Sequence, residues 1–300
     1  MALDRTLLWH PPSGPPLNLT DPANGIFVRW NLTGFMAPTY RVSTKRSPGQ
    51  AGSRIQAITA VDRELEVGLV VSARTSVEFL HRARQLVRAM QPASGSGRLE
   101  VIRSDGTARS IECVCTEGLE GAETPGTGGM NWWHLDLSFL APQPYARMEP
   151  ITVPWSLAPS GRGWFPIIPI RLGASGIAGR KTVNNPGDVE AFPVIAVRGP
   201  GSGLIVRHRG TGRAAHLDYT IPESGNGPVP LPEGVVTIDT RRGAQSITDG
   251  YGVNLFEHLT DDDPSLFPLL PGDNDIEVEL QAAAPSSSVS LTFDPLYESL

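Results

Sequence analysis

The 300-residue chain has little of several features that mark particular classes of protein. Cys113 and Cys115 are its only cysteines. Two residues apart on a strand, their side chains would lie on the same face, in a geometry that does not suit an ordinary disulfide. They also have no second pair of ligands at zinc spacing. No long apolar run is present, and no charged start precedes an apolar segment, so the sequence indicates neither a membrane span nor a cleaved signal. Packing rather than cross-linking is therefore expected to stabilise the fold.

Positive charge is missing from the end of the chain. No Lys or Arg follows Arg242. Up to Pro150 the chain carries 15 basic and 14 acidic side chains, whereas the rest carries 10 and 17. Because proteins bind nucleic acids largely by neutralising phosphates, this balance argues against specific nucleic-acid binding.

Turn-forming residues, in contrast, are abundant. The chain has 32 Gly and 28 Pro, which suits many short strands joined by tight turns. We expect a mainly β protein, with an N-terminal β-rich domain that packs a single α-helix on its sheet, followed by a C-terminal antiparallel β-sandwich. The predicted divisions are an N-terminal domain at 1–145, a Pro-, Gly- and aromatic-rich connection at 146–182, and a C-terminal domain at 183–300.

One stretch predicts the single helix. Thr75 and Glu78 have the spacing of a capping box, in which a hydroxyl and a carboxylate bond free backbone amides. Pro92 prevents continuation past Gln91. Apolar residues recur at intervals of three to four and predict a core-facing stripe of Val77, Leu80, Ala83, Val87 and Met90, which Leu86 widens.

The strands are predicted from alternation and turns. Residues 1–24 are interpreted as an arm anchored by Trp9, and residues 35–52 as a long loop. A strand pair is expected at 54–61 and 63–71, and an Asp105-Gly106 turn predicts a hairpin of residues 99–103 and 109–113. In the second half, strands are predicted at 194–197, 203–209, 214–221, 234–240, 244–248, 275–281 and 288–293.

The search for chemistry finds no catalytic signature. His208, His216 and Asp218 could hold a divalent metal, but a single hairpin without a further histidine favours ordinary strand residues. Asp261-Asp262-Asp263 lacks the alternating ligands of a calcium loop, and Gly199–Gly203 precedes a strand rather than a helix. No nucleophile elbow is present. We therefore predict no catalytic site, no metal, no cofactor and no enzyme activity.

A series of short motifs follows one another in a characteristic order along the chain. They are Arg46–Gly52, the helix, Gly97-Arg98-Leu99, Asp105-Gly106, Trp133–Ala141, Pro144-Tyr145, Asn184–Asp188, Ala191-Phe192-Pro193, Gly199, Val236–Asp239 and Leu270–Asn274. In this order they resemble the distal tail protein family of long-tailed, non-contractile bacteriophages. The resemblance extends over most of the chain from about Tyr40.

This resemblance implies a structural virion protein. The N-terminal domain would be a belt that assembles into a hexameric ring, and the C-terminal domain a galectin-like sandwich facing outward. The ring would join the tail tube to the tail tip or baseplate and would contact tube, tape-measure and receptor-binding proteins. The implied location is the phage tail, assembled in the host cytoplasm, with a lumen that can pass DNA.

The resemblance and the long basic loop together suggest where subunits meet. We expect contacts from strand edges near residues 63–71 and from the loop residues Arg41, Lys45, Arg46, Pro48, Gly49 and Arg54. An alternative function is a carbohydrate-binding module that recognises host-surface glycans through Trp164, Tyr219 or Tyr251. A hydrolase is a third possibility, for which the sequence offers no site.

Overall fold

Extended segments rich in β-branched and aromatic residues form more than half of the described part of the chain, as the turn-rich composition predicts. The computed structural model describes residues 5–49, 51–121, 126–157, 176–223, 232–260 and 266–300. The chain divides into two units. Unit 1 comprises Met1–Glu149 and Tyr297–Leu300, and unit 2 comprises Pro150–Leu296. None of the described helices is long and apolar enough to cross a membrane.

Unit 1 contains the only α-helix of the described residues, α1 (Ser76–Met90). Its strands are β1 (Arg5–His10), β2 (Leu17–Asn18), β3 (Thr20–Asp21), β4 (Ile26–Thr33), β5 (Tyr40–Lys45), β6 (Arg54–Ala60), β7 (Arg63–Ser72), β8 (Gly97–Arg103), β9 (Ala108–Glu117), β10 (Gly128–Gly129), β11 (Trp132–Ala141) and β12 (Ala146–Arg147). The helix thus lies between strands, which confirms the predicted mainly β fold with a single helix.

The main sheet of unit 1 is curved almost into a closed barrel. Its strand order is β2-β1-β8-β9-β11-β7-β4-β3, with β10 and β12 attached to β11 and β9. Only Leu19 separates β2 from β3, so one short segment pairs with β1 at one end of the path and with β4 at the other. The N-terminal residues are therefore part of the sheet rather than an arm. Trp9 of β1 is buried, and its indole Nε1 donates to the Ala89 carbonyl oxygen at 2.7 Å.

The helix forms where the sequence places it, but with a different face in the core. Thr75 accepts from the Glu78 amide at 3.2 Å, and Glu78 pairs with Arg82 at 2.8 Å. The prediction that Val77, Leu80 and Val87 face the core is wrong, because these side chains are 80%, 48% and 40% exposed. Met90 is buried, together with Phe79, Ala83 and Leu86. The helix has two adjacent apolar stripes, and the one that contains the aromatic ring packs on the sheet.

The segment from Tyr40 to Ala60 also differs from the prediction. Residues 40–45 are strand β5 rather than loop, and they pair with β6 in a separate two-stranded sheet. Strand β6 therefore does not pair with β7. Strand β7 lies between β11 and β4, so it offers no free edge to a neighbouring subunit. Between Tyr40 and Arg46 the segment contains neither Gly nor Pro, and the alternation of β5 was the signal of a strand.

Unit 2 is an antiparallel sandwich, as predicted. Its sheets have the orders β13-β21-β15-β18-β19 and β14-β20-β16-β17, and their apolar residues form one core. The strands are β13 (Ile151–Ser156), β14 (Gly176–Asn185), β15 (Val194–Arg198), β16 (Gly201–His208), β17 (Arg213–Ile221), β18 (Val235–Asp239), β19 (Ser246–Asp249), β20 (Gly272–Gln281) and β21 (Ser288–Phe293). A last strand, β22 (Leu296–Tyr297), follows them.

The predicted connection at 146–182 is largely part of unit 2. Strand β13 and the first seven residues of β14 lie in it, whereas residues 158–175 are outside the described part. Pro154 is tolerated in β13 because that strand is at the edge of its sheet, where one side needs no backbone partner. The end of the chain also differs from the prediction, since Tyr297–Leu300 belongs to unit 1.

The two cysteines are buried on the same face of β9. Both are free thiols, as their spacing requires. Burial raises the pKa of Cys113 to about 12 and that of Cys115 to about 11. Both thiols are therefore protonated at neutral pH and act as small apolar core residues.

Candidate assembly surface

The β5–β6 hairpin presents two chemically different faces. Opposite residues of an antiparallel pair share a face, so the register places Tyr40 and Val42 with Ile55 and Ile58. A bulge between Ser43 and Thr44 accommodates the extra residue of β6. The other face carries the three cations Arg41, Lys45 and Arg54. One side of the hairpin is thus apolar and the other basic.

Neither face of this hairpin is covered within the subunit. Every residue of β5 is exposed, and in β6 only Ala60 is partly buried. Val42, Ile55 and Ile58 are 50%, 60% and 60% exposed. A two-stranded sheet with no packed face is at best marginally stable alone in water. The hairpin therefore has the properties of an element that is completed by contact with another molecule.

The remaining predicted contact residues lie at the tip of the hairpin. Arg46, Pro48 and Gly49 are all exposed in the segment that joins the two strands. Gly49 has φ +80, a left-handed conformation that glycine adopts without steric cost. The structure thus places the six predicted contact residues on one projecting element, although whether they contact a subunit stays a prediction.

The base of the hairpin is held by the returning end of the chain. The Tyr40 hydroxyl donates to the Glu298 carboxylate at 2.6 Å, and the Leu300 amide donates to the Phe35 carbonyl at 3.0 Å. Because the hydrogen bond to Glu298 favours the protonated phenol, it raises the pKa of Tyr40. The residue that begins β5 is therefore fixed to unit 1 while the rest of the hairpin projects away.

Three arginines bind the backbone of that returning segment. Arg63 is 2% exposed, and its guanidinium donates to the carbonyl oxygens of Gly34, Pro144 and Glu298 at 2.6, 3.0 and 2.7 Å. Arg103 donates to the Leu300 carbonyl at 2.8 Å, and Arg109 to the Ser299 carbonyl at 2.9 Å. The guanidinium of Arg109 also lies 3.7 Å from the centre of the Tyr297 ring. These contacts join the start of β7, the β8–β9 hairpin and the chain end into one framework.

The outer face of the main sheet carries a group of carboxylates. Ser138 of β11 lies opposite both Glu66 of β7 and Glu117 of β9, so these side chains form a row across three strands. Glu64 and Asp136 extend the group along the strands. All four carboxylates are exposed, and within the described part of the chain none makes an ion pair. This row is the most acidic sheet face of unit 1.

The possible metal ligands of unit 2 are not arranged as a metal site. His208 is buried, its Nε2 contacts the Asn274 amide oxygen at 3.0 Å, and its ring meets Phe267 edge to face at 5.5 Å. His216 lies opposite Ile205 on the neighbouring strand, and Asp218 is exposed. In the ranges that the structure describes, no three His, Cys, Asp or Glu residues come together as metal ligands. His208 is a packed core residue.

Of the three candidate glycan contacts, the structure describes Tyr219 and Tyr251. Tyr219 is partly buried against His258, with 5.1 Å between the ring centres. Tyr251 is 66% exposed in the loop after β19. Trp164 and the Asp261–Asp263 turn are outside the described residues. Glycan binding therefore stays a prediction.

Sequence reasoning missed the apolar face of the hairpin and the anchoring of its base. Val42 alternates with polar residues, so a strand template applied to 40–45 would have found it. Ile58 lies in the strand predicted at 54–61, and its face depends on the pairing with β5. The Tyr40–Glu298 contact joins residues 258 positions apart, and no local pattern in a single sequence signals it.

Comparison with known proteins gives a fold relationship at low sequence identity. No family model matches the sequence, and no curated protein matches it. The SPP1 Dit (gp 19.1) protein, described as a paradigm of the hub adsorption apparatus in phages that infect Gram-positive bacteria, superposes with a TM-score of 0.64. The two sequences are 15% identical, and the superposition covers 97% of this chain and 98% of the SPP1 protein.

Two structures of the phage P2 baseplate in its activated conformation, one with Ca and one with Sr, are less similar. Their TM-scores are 0.49 and 0.48. In each case the sequence identity is 11%, and the superposition covers 96% of this chain and 97% of the matched baseplate chain. These two matches are too weak to support a conclusion about this chain. The SPP1 protein matches almost end to end, across both units. The resemblance found in the sequence is thus confirmed at the level of the fold, and the chain has the fold of a phage distal tail hub protein.

Proposed function

We propose that this protein is a structural component of a phage tail, a hub whose subunits form a ring between the tail tube and the tail tip or baseplate. The single observation that carries this function is the β5–β6 hairpin, which exposes Val42, Ile55 and Ile58 on one face and has no partner in its own subunit. Burying that face against another copy would remove apolar surface from water, which favours association.

A ring is consistent with the type of contact that such a hairpin makes. A projecting hairpin that docks on a different surface of the next copy gives a heterologous interface. Repeated heterologous contacts form a ring where the rotation between successive copies closes, and an open filament where it does not. We take the hexamer from the family resemblance. Unit 1 would form the ring, and unit 2, a galectin-like sandwich in this proposal, would project from it.

The partners and location follow from the same role. A tail hub contacts tail-tube, tape-measure and tail-tip or receptor-binding proteins, is located in the virion tail after assembly in the host cytoplasm, and leaves a lumen for DNA. Its task is mechanical, so it needs no catalytic centre. The likeness to the SPP1 hub protein over nearly the whole chain supports this proposal.

Size-exclusion chromatography with light scattering, combined with negative-stain images of the purified chain, tests the proposal. We expect oligomers that appear as closed rings of uniform diameter. A monodisperse monomer at high protein concentration, without rings, would contradict it.

A matched pair of variants connects the ring to the hairpin. Ile55→Asp with Ile58→Asp places charge on the apolar face and should abolish rings while the circular dichroism spectrum stays native. Met130→Asp changes a side chain that is 85% exposed elsewhere in unit 1 and should leave the rings intact.

A further inference from the structure

The basic face of the hairpin has no countercharge near it. No Asp or Glu occurs between Tyr40 and Val61, whereas the segment carries four cations, Arg41, Lys45, Arg46 and Arg54. None of these four forms an ion pair in the described part of the chain. If only the apolar face were used in assembly, this concentration of like charge would oppose association.

Two exposed surfaces of unit 1 with opposite charge can be compared as docking sites for such a hairpin of a second copy. One is the solvent side of α1, which carries the exposed and unpaired cations Arg84 and Arg88 and would repel a basic hairpin. The other is the outer face of β7, β9 and β11, with Glu64, Glu66, Glu117 and Asp136. Charge therefore selects the sheet face and rejects the helix.

The two groups of charges also have similar dimensions. Arg41 and Lys45 are four residues apart on β5, about 13 Å, and Arg54 lies opposite Lys45. On the sheet, Glu117 and Glu66 are two strands apart, about 10 Å, and Glu64 lies about 7 Å along β7 from Glu66. The spacing is thus compatible with contacts between several of these cations and carboxylates.

We propose that the basic face of the β5–β6 hairpin of one copy docks on the carboxylate row of β7, β9 and β11 of the next copy. This inference rests on the proposed function and specifies which surfaces meet. Each copy gives a hairpin to one neighbour and receives one from the other, so the contact is directional, as a closed ring requires. The charge pairing sets the register of this contact, and the apolar face, on the opposite side of the hairpin, is left for a separate contact within the ring.

Charge-swapped variants test the pairing. Variant A carries Arg41→Glu and Arg54→Glu, and variant B carries Glu66→Lys and Glu117→Lys. Each alone should assemble at a protein concentration at least roughly 100-fold higher than the natural chain, because like charges now face each other across the interface. An equimolar mixture of A and B should assemble again, in alternating order with a 1:1 ratio by native mass spectrometry. One chain with all four changes should assemble alone.

Controls separate failure of this inference from failure of the proposed function. Arg84→Glu with Arg88→Glu makes the same change of charge on α1 and should leave assembly unchanged. If A and B each assemble like the natural chain while Ile55→Asp with Ile58→Asp does not, the charge pairing is wrong and the ring proposal stands. If the natural chain never assembles, both are wrong.

Nucleic acid is the other conceivable occupant of the basic face. Fluorescence anisotropy with a labelled 30-base-pair DNA duplex distinguishes it from a second copy. The inference would be overturned in favour of DNA contact if the natural chain binds the duplex, variant A does not bind it, and variant A still assembles normally. The inference is supported if the natural chain does not bind the duplex, and if variant A fails to assemble alone but assembles when mixed with variant B.

Discussion

Unit 1 contains two hairpins of similar length that differ in how they are stabilised. The β8–β9 hairpin lies in the main sheet, and its alternate residues, among them Leu99, Val101 and Ile111, are buried. In the β5–β6 hairpin the corresponding side chains Val42, Ile55 and Ile58 are exposed. Both have apolar, β-branched alternation, so sequence preference alone does not explain the difference.

The difference shows what each hairpin contributes. Burial of a leucine or isoleucine side chain stabilises a fold by about 1.5–3 kcal/mol, so β8–β9 contributes to the stability of the single subunit. The β5–β6 hairpin can obtain such stabilisation only from another molecule. Changes in the first should therefore alter folding, and changes in the second should alter assembly.

The largest expected effect is in the buried hairpin. Leu99→Ala removes a side chain that is 0% exposed and should lower the free energy of unfolding by about 2–5 kcal/mol, because it leaves a cavity in the core. Denaturant titration followed by circular dichroism measures this. Val42→Ala in the exposed hairpin is the matched control and should change monomer stability by less than about 0.5 kcal/mol. Equal effects of the two changes would contradict the comparison.

The next effect concerns the framework that carries the exposed hairpin. Arg63→Ala leaves the carbonyls of Gly34, Pro144 and Glu298 without their donor. Because buried acceptors without partners are costly, the free energy of unfolding should fall by about 2–3 kcal/mol. Arg54→Ala removes an exposed arginine of the hairpin and should leave monomer stability unchanged in the same titration. A neutral result for Arg63→Ala would mean that the chain end does not need this anchor.

A smaller effect is expected at the base of the hairpin. Tyr40→Phe removes the hydrogen bond to Glu298 and should cost about 1 kcal/mol. Because the folded state raises the pKa of Tyr40, the bond stabilises the protein fully below the unfolded tyrosine pKa, about 10, and less as the pH rises above it. The difference in denaturation midpoint between the two proteins should thus be constant from pH 7 to 9 and shrink towards pH 11. A difference that grows with pH would contradict this sign.

The smallest expected effect on folding is at the exposed stripe of α1. Leu80 is 48% exposed, so Leu80→Asp should change the stability of the monomer by no more than about 0.5 kcal/mol. Leu86→Asp, on the buried side of the same helix, should prevent folding because it places a charge in the core. Thermal unfolding of the two proteins decides which face is in the core. Unfolding of Leu80→Asp at 25 °C would restore the face predicted from sequence.

Local signals predicted much of this fold. The Thr75 cap, the Asp105-Gly106 turn and the sandwich strands depend on residues close together in sequence, and the structure has them. The core face of α1 was predicted only in part. Ala83, Leu86 and Met90 are buried as expected, whereas Val77, Leu80 and Val87 are exposed and Phe79 lies in the core instead. Spacing alone does not decide between two adjacent apolar stripes, since the choice depends on which one the sheet contacts.

The candidate surface was predicted only in part. Its cations were identified from the sequence, but their grouping on one face depends on the β5–β6 register and on the bulge at Ser43. The carboxylate row depends on pairing between strands that are distant in sequence, as Glu66 and Glu117 illustrate. Such long-range pairing is set by the closure of the whole sheet and has no local signature.

Amide hydrogen exchange of both hairpins, measured over a range of protein concentration, tests the central claim most directly. Exchange reports local opening, so an amide that becomes covered in an oligomer exchanges more slowly. The account predicts that β5–β6 amides exchange rapidly in dilute monomer and slowly in the assembled ring, while β8–β9 amides exchange slowly throughout. Rings in which β5–β6 amides still exchange as fast as in the monomer would contradict it.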